Sequence, residues 1–444
     1  MNLPLRKFRT LVTLMIIVVA VLYLPNCTSD NQIIGPGITL GKDLLSKKIS
    51  TSPTIDGVID PSWDSATKLN LAPAVPDPGN GLFAGYIGDV YNGTMRSMYD
   101  NDYVYFLVEI ADNTKNIKSS PWYFNPITKK WARESTSRSY DVNGKLSREG
   151  WGEDKFSFLW NIDNSTPKFS AQTCFASCHI FEPYTDFSVT PPVQRSNANS
   201  GNHYTNGTNE KIDMWWGHPN RGFVFGNMDD NYQDWAGGPA VMNLVGGNGN
   251  GRHFDDLVVS GVSATWPNRP SYTSDATQGS TTNTQKLKIE GTETEVDVPL
   301  WVIPNATNLD FIKGSDTQSG GTAVKITSVN AEGVLTYAGG TIDPNVGTDY
   351  QRIGDKVYGG IGSKSIPGVI VTPVINGRAD ITLSAVHTGT GWIYEFKRLI
   401  KTSDNLKQDI DFSSLDDQPF GFAYWNGNNN QHAIKPNLKL IFER

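Results

Sequence analysis

From Thr94 to Phe442 the apolar residues of this chain fall in short alternating runs, punctuated by glycine, proline, asparagine and aspartate, with almost no helical spacing. That rhythm limits the fold more than any other feature. Thr94–Tyr99 and Tyr103–Ile110 read as two strands joined by Asp100-Asn101-Asp102. Asp154–Asn161 alternates and is aromatic. Further runs lie at Val324–Val329, Pro367–Val371, Ala379–Val386, Gly391–Phe396, Phe420–Trp425 and Leu438–Phe442. Many short strands with turn signals between them predict an all-β chain, a two-sheet antiparallel β-sandwich with long loop insertions. Residues 113–150 read as an irregular, charged excursion from the sheet. Residues 236–359 read as a loop-rich insertion, either wrapping the rest or forming a small β subdomain.

The N-terminus reads as an export signal. Arg6, Lys7 and Arg9 precede an apolar run from Leu11 to Leu24, too short for an ordinary membrane-spanning helix. Leu24-Pro-Asn-Cys27 follows, and leucine three residues before a cysteine resembles a bacterial lipobox. Asn26 stands where a small residue is usual. The expectation is a signal peptide over 1–26, lipidation at Cys27 and a polar tether over 27–48. Plain cleavage and a retained anchor are the alternatives, and all three export the protein.

Cys174, Cys178 and His179 form the run Cys-Phe-Ala-Ser-Cys-His. Two thiols followed at once by a histidine is the arrangement that attaches c-type haem, with thioether links from the cysteines and the imidazole beneath the iron. Three residues separate the thiols here instead of the usual two. A local disulfide is the first competing reading, favoured by an oxidising compartment but stabilising little across so small a loop. Zinc is poorer, since two thiolates and one adjacent histidine give only three ligands. With 3 cysteines in the chain, lipidation at Cys27 leaves no thiol unassigned.

For hydrolytic or phosphoryl chemistry the sequence is quiet: no nucleophile triad, phosphate-cradling loop or paired-carboxylate motif stands in its required context. A formal net charge of −7 argues against nucleic acid as a partner and leaves docking with a basic redox protein open. Gly 43, Pro 25 and 19% charged residues suit a loop-heavy extracytoplasmic β protein.

The order of several landmarks resembles the haem-binding domain family that includes the γ subunit of ethylbenzene dehydrogenase and related dimethyl sulfoxide reductase-type enzymes. They are Ile55-Asp-Gly-Val-Ile-Asp60 with Trp63, Glu153-Asp-Lys-Phe156, Lys211-Ile-Asp-Met-Trp-Trp216, Ile366-Pro-Gly-Val-Ile370, Trp392-Ile-Tyr-Glu-Phe-Lys-Arg398 and Gln418–Gly427. The resemblance covers roughly residues 50–235 and 360–444. It implies a β-sandwich related to family 9 carbohydrate-binding modules, spanning 49–444 and holding one haem. The enzyme subunits use methionine and lysine as axial ligands to a non-covalent haem b. A branch of single-chain relatives carries Cys-x-x-x-Cys-His, and this chain resembles that branch.

On that resemblance His179 is the proximal iron ligand and His432, after the Asn/Gly-rich turn, the distal one. Lys435, Met214, His218 and His203 are alternatives. Trp215, Trp216 and Tyr204 are candidates to pack on the porphyrin, and Lys211 and Arg221 to pair with its propionates. His253 and His387 read as solvated turn residues. The function expected is that of an exported, lipid-anchored mono-haem c-type cytochrome in periplasmic or cell-surface respiration. It transfers single electrons to a redox partner protein, as an accessory to a molybdenum oxidoreductase or as an independent carrier, without a substrate site of its own. The competing readings are a carbohydrate-binding surface lipoprotein, with a Cys174–Cys178 disulfide and Trp122 and Trp131 stacking on sugars, and a haem enzyme or gas sensor with a vacant iron position.

Overall fold

Aromatic residues at alternate strand positions build the core. The computed structural model describes residues 41–77, 83, 85–136, 139–140, 146–148, 150–167, 169–173, 184–186, 193–195, 205, 209–234, 252–255, 259–262, 270–272, 279–304, 306, 309–353, 360–428 and 431–444. Twelve strands share one sheet. In chain order they are β1 (Asp43–Lys48), β2 (Leu69–Leu71), β3 (Gly93–Tyr99), β4 (Tyr103–Ala111), β5 (Glu153–Asn161) and β6 (Ile212–Gly217). Then come β7 (Asp229–Gln233), β8 (Arg252–Phe254), β9 (Thr382–His387), β10 (Gly391–Leu399), β11 (Gln418–Asn428) and β12 (Ala433–Phe442).

The lateral order is β8-β7-β6-β5-β11-β12-β1-β3-β4-β10-β9, with β2 beside β3. β1 pairs in parallel with both β12 and β3, and the other pairings of this sheet are antiparallel. The expected sandwich is present, but its two layers are halves of a single sheet curled about β1. Rings from the two halves meet in the middle. Phe106 of β4 lies 5.7 Å from both Phe158 and Trp215, Phe158 lies 5.5 Å from Phe396, and Phe156 lies 4.3 Å from Tyr394. Each such buried ring is worth ~1.5–3 kcal/mol in water removed, and paired rings add ~0.5–1.5 kcal/mol.

The hairpin of β3 and β4 forms as expected: Asp100 Oδ1 accepts from the backbone N–H of Asp102 and Tyr103 at 2.8 Å. The Asp-Gly turn near the start locks onto β10. Gly57 N–H and the Trp63 indole N–H donate to the two oxygens of Glu395 at 2.8 and 3.0 Å. Gly57 sits at φ +85°, and a Cβ there would fall 2.4 Å from Val386.

A second core departs from the sequence expectation. The hairpin Trp122–Asn125/Lys130–Arg133, inside the stretch read as an irregular excursion, packs with Val298, Val302, Ile326, Val329, Leu335, Ile342 and Ile366. Within the insertion, the strands between residues 285 and 342 therefore form a small β subdomain sharing its core with residues 122–133, whereas Arg252–Phe254 joins the main sheet as β8. Trp122 and Trp131 are 1% and 5% exposed, and their indole N–H groups donate to Asn283 O and Gly333 O. Neither offers a ring to a sugar. Among the described residues no helix is long and apolar enough to cross a membrane.

Candidate functional site

A strand shows alternate residues to opposite faces, and on β6 this separates two neighbouring tryptophans. Trp215 points inward, fully buried among Phe106, Phe158, Trp160, Phe396 and Phe412. Trp216 and Met214 point to the outer face, with Leu159, Phe169, Ile212 and Ile434. The next residue must be glycine, because a Cβ on Gly217 would meet the Phe156 ring at 2.2 Å.

The outer face has a floor of small residues. Ser157 of β5 stands between Trp216 of β6 and Ala423 of β11, and Gly421 faces Leu159 one step along. At one end Lys155 pairs across to Trp425, and its ammonium lies 5.6 Å from the Trp425 ring and 5.9 Å from that of Trp216. The His432 ring stacks on Trp425, with centroids 4.5 Å apart at 29°, and meets Phe83 edge-on at 5.4 Å. Small side chains flanked by aromatic rings therefore line this face, and Lys155, Ser157, Leu159, Met214 and Trp216 are all buried on it.

The short helix α1 (Phe169–Gln172) packs on β11 and β12 over the same face. The residue after it, Thr173, is buried, and its Oγ1 accepts from Asn437 N–H of β12 at 3.1 Å. Cys174 follows directly in the chain. Cys27, Cys174, Cys178, His179, His203 and Tyr204 lie outside the described residues.

Cations crowd the β6 side of this face. The Arg252 and Arg221 guanidinium carbons lie 4.2 and 5.2 Å from the centre of the Trp216 ring. Arg378 grips Asp229 with two bonds of 2.8 and 3.0 Å, and Arg221 adds a third at 3.1 Å. Burial drives the Lys155 ammonium down to about 8; Glu153 opposes this, while Arg221 and Arg252 add to it. Burial together with Arg221 and Lys155 also holds His218 below its ordinary value, despite Glu153. His218 Nδ1 lies 2.6 Å from Glu153 Oε2. The same pairing keeps Glu153 ionised: burial pushes it up, but His218, Lys155 and Asn220 bring it below its usual range.

The structure thus brings Trp216, Arg221, Met214, His218 and His432 to one face and leaves Trp215 and Lys211 elsewhere. Lys211 donates to Leu406 O at 2.8 Å and lies 5.6 Å from the Tyr232 ring. Met214 Sδ accepts from Gln233 at 3.5 Å. Two histidines read as solvated are not: His253 is buried against Asp234, and His387 is half-buried with Nε2 3.1 Å from Asp112 O. β-Strand neighbours enclose both.

A second polar cluster, not foreseen, lies beyond Trp215. Arg398, fully buried, lies 2.9 Å from Asp409, 3.6 Å from Asp213, 3.7 Å from Asp380 and 3.8 Å from Asp230. Asp213, Asp230 and Asp409 place carboxylate oxygens within 4.8 Å of one another. Burial pushes Asp213 up to about 8, with Arg398 pulling it down and Asp409 adding to the rise. Burial and mutual repulsion raise Asp230 and Asp255 well above the usual carboxylate range.

A profile described as ethylbenzene dehydrogenase matches residues 60–435. The chain belongs to the ethylbenzene dehydrogenase family. That family is associated with molybdenum oxidoreductase complexes. No curated protein matches the chain significantly. Among solved structures, a family 9 carbohydrate-binding module from Caldicellulosiruptor kristjanssonii in complex with glucose is similar at 8% identity and a TM-score of 0.26, covering 90% of this chain and 96% of that one. A family 9 module from the same organism in complex with cellotriose is similar at 16% identity and a TM-score of 0.16, covering 39% of this chain and 75% of that one.

Proposed function

We propose that this member of the ethylbenzene dehydrogenase family is an exported, lipid-anchored mono-haem c-type cytochrome that passes single electrons to a redox partner, a molybdenum oxidoreductase or another cytochrome. The observation that carries this reading is the anchoring of Thr173 to β12 on the same sheet face that presents Trp216, Trp425 and His432. The chain enters its Cys174-Cys178-His179 motif from that anchor.

The residues present fit the group. Trp216 and Trp425 lie 6.5 Å apart beside the small side chains of Ser157 and Ala423, and Trp216 Nε1 is a buried donor without a hydrogen-bond partner among the described residues. A haem bound there supplies an iron couple that gains and loses one electron without moving atoms. Cys174 and Cys178 would hold it through thioether links, and His179 would bind the iron. His432, its ring held by Trp425 and Phe83, would be the second iron ligand. With both histidines holding the iron, the group would supply electron transfer rather than substrate chemistry.

The test is a redox titration of the protein matured with c-type attachment machinery, followed in the visible spectrum. A single one-electron wave with low-spin bands in both oxidation states supports the reading. A haem-free product, or a high-spin iron that binds substrate-sized ligands at once, overturns it.

A further inference from the structure

Lys155 and Arg252, neither of them prominent in the sequence, converge with Arg221 on the outer-face ring of Trp216. They come from three separate elements: β5, β8 and the turn after β6. Lys155 is 2% exposed, an unusual position for an ammonium on a sheet face. The surroundings are rich in donors. Trp216 Nε1, Arg221 Nε and Arg378 Nη1 are all buried without a hydrogen-bond partner among the described residues. Of the nearby carboxylates, Asp229 is engaged by Arg378 and Arg221, and Glu153 accepts from Asn220 through Oε1 while its Oε2, 2.6 Å from His218 Nδ1, has no hydrogen-bond partner among the described residues. Buried donors left unmatched cost ~1–3 kcal/mol each, so a cluster of them marks a place where acceptors arrive from outside the described residues. Carboxylates suit it best, because guanidinium groups bind them in paired, charge-assisted bonds.

We infer that Lys155, Arg221 and Arg252, with the Trp216 indole N–H, hold the two propionate carboxylates of the haem. This rests on the haem reading proposed above. Lys211, expected from the sequence to take part, is committed to Leu406 O and Tyr232. The inference also assigns a role to the alternation of β5, whose inward rings build the core while its outward lysine serves the cofactor.

The consequence is electrostatic. Cations at the propionates keep those carboxylates ionised, and they disfavour the extra positive charge of ferric iron. Removing a cation therefore stabilises the oxidised form and lowers the midpoint potential. It also raises the propionate pKa values, so that the potential becomes more strongly pH-dependent across the neutral range.

The experiment compares haem-loaded protein with Lys155→Met, Arg252→Met, Arg252→Lys and the exposed control Lys286→Met. Midpoint potential against pH is read together with the propionate bending bands in resonance Raman spectra. Expected are a lowered potential, a steeper pH dependence and shifted propionate bands in Lys155→Met and Arg252→Met. Arg252→Lys should restore most of the parental behaviour, and Lys286→Met should match the parent. If Lys155→Met does not mature, the Arg252 pair carries the same comparison from a half-buried position. Parental potentials and propionate bands in the methionine variants overturn this inference alone. A haem-free parent protein overturns the cytochrome reading as well.

Discussion

Thr173 Oγ1 accepts a hydrogen bond from Asn437 N–H across 3.1 Å, tying the residue before Cys174 to the strand that follows His432. Both residues stand at positive φ, +43° for Thr173 and +61° for Asn437. A β-branched residue rarely adopts that conformation, and holding one there costs ~1–3 kcal/mol. The surrounding packing of Phe169 against Met214 and Ile434 fixes the chain at this point.

Thr173→Val keeps the shape and removes the acceptor, leaving the Asn437 N–H without this partner. The expected loss is ~1–2 kcal/mol of unfolding free energy, measured by urea denaturation. A smaller fraction of haem-attached protein on maturation should accompany it. An unchanged stability would show that the contact contributes nothing.

His432→Ala should open one axial position. The reduced variant is expected to bind carbon monoxide rapidly, whereas the parent binds it only after ligand displacement. His432→Met should instead raise the midpoint potential, since a Met/His pair favours ferrous iron relative to two histidines. Parental carbon monoxide kinetics in the alanine variant would assign the distal position to another residue, with His218 or Met214 on the same face next in line.

Arg398→Met tests the buried acidic cage. Removing the guanidinium leaves Asp213, Asp230 and Asp409 confined together without their cation. Breaking a buried ion pair from one side costs ~3–5 kcal/mol, so the variant should unfold at clearly lower urea. An effect below ~1 kcal/mol would contradict the assigned role.

Asp213→Asn tests the pH dependence of that cage. The folded carboxyl, near 8, lies above its unfolded value of ~4. The folded state therefore binds the extra proton, and the stability this contributes is complete below pH ~4 and lost as pH rises through about 8. The variant should lose that part of the slope, so its stability declines less between those limits. Parallel curves for parent and variant would contradict the raised value.

Much of the scaffold was legible because local patterns carried it. The β3–β4 hairpin, the aromatic β5 strand and the closing β11–β12 pair all announce themselves through alternation and turn residues. Trp122 and Trp131 were misread because their partners, Val298 to Ile366, lie far along the chain in stretches of weak periodicity. Lys155 was passed over because a polar residue in an alternating strand looks solvent-facing, and here both sheet faces are covered. Period two could have separated Trp215 from Trp216 in advance. The cage around Arg398 draws aspartates from positions 213 to 409, and no local signal joins residues so widely spaced.

The central claim is that Cys174 and Cys178 carry a haem on the outer face of this sheet. A pyridine haemochrome spectrum of the matured protein, run beside a Cys174→Ala/Cys178→Ala double variant, tests it most directly. The account predicts an α-band typical of two thioether links, resistant to acid-acetone extraction and absent from the variant. A well-folded product without haem would contradict it.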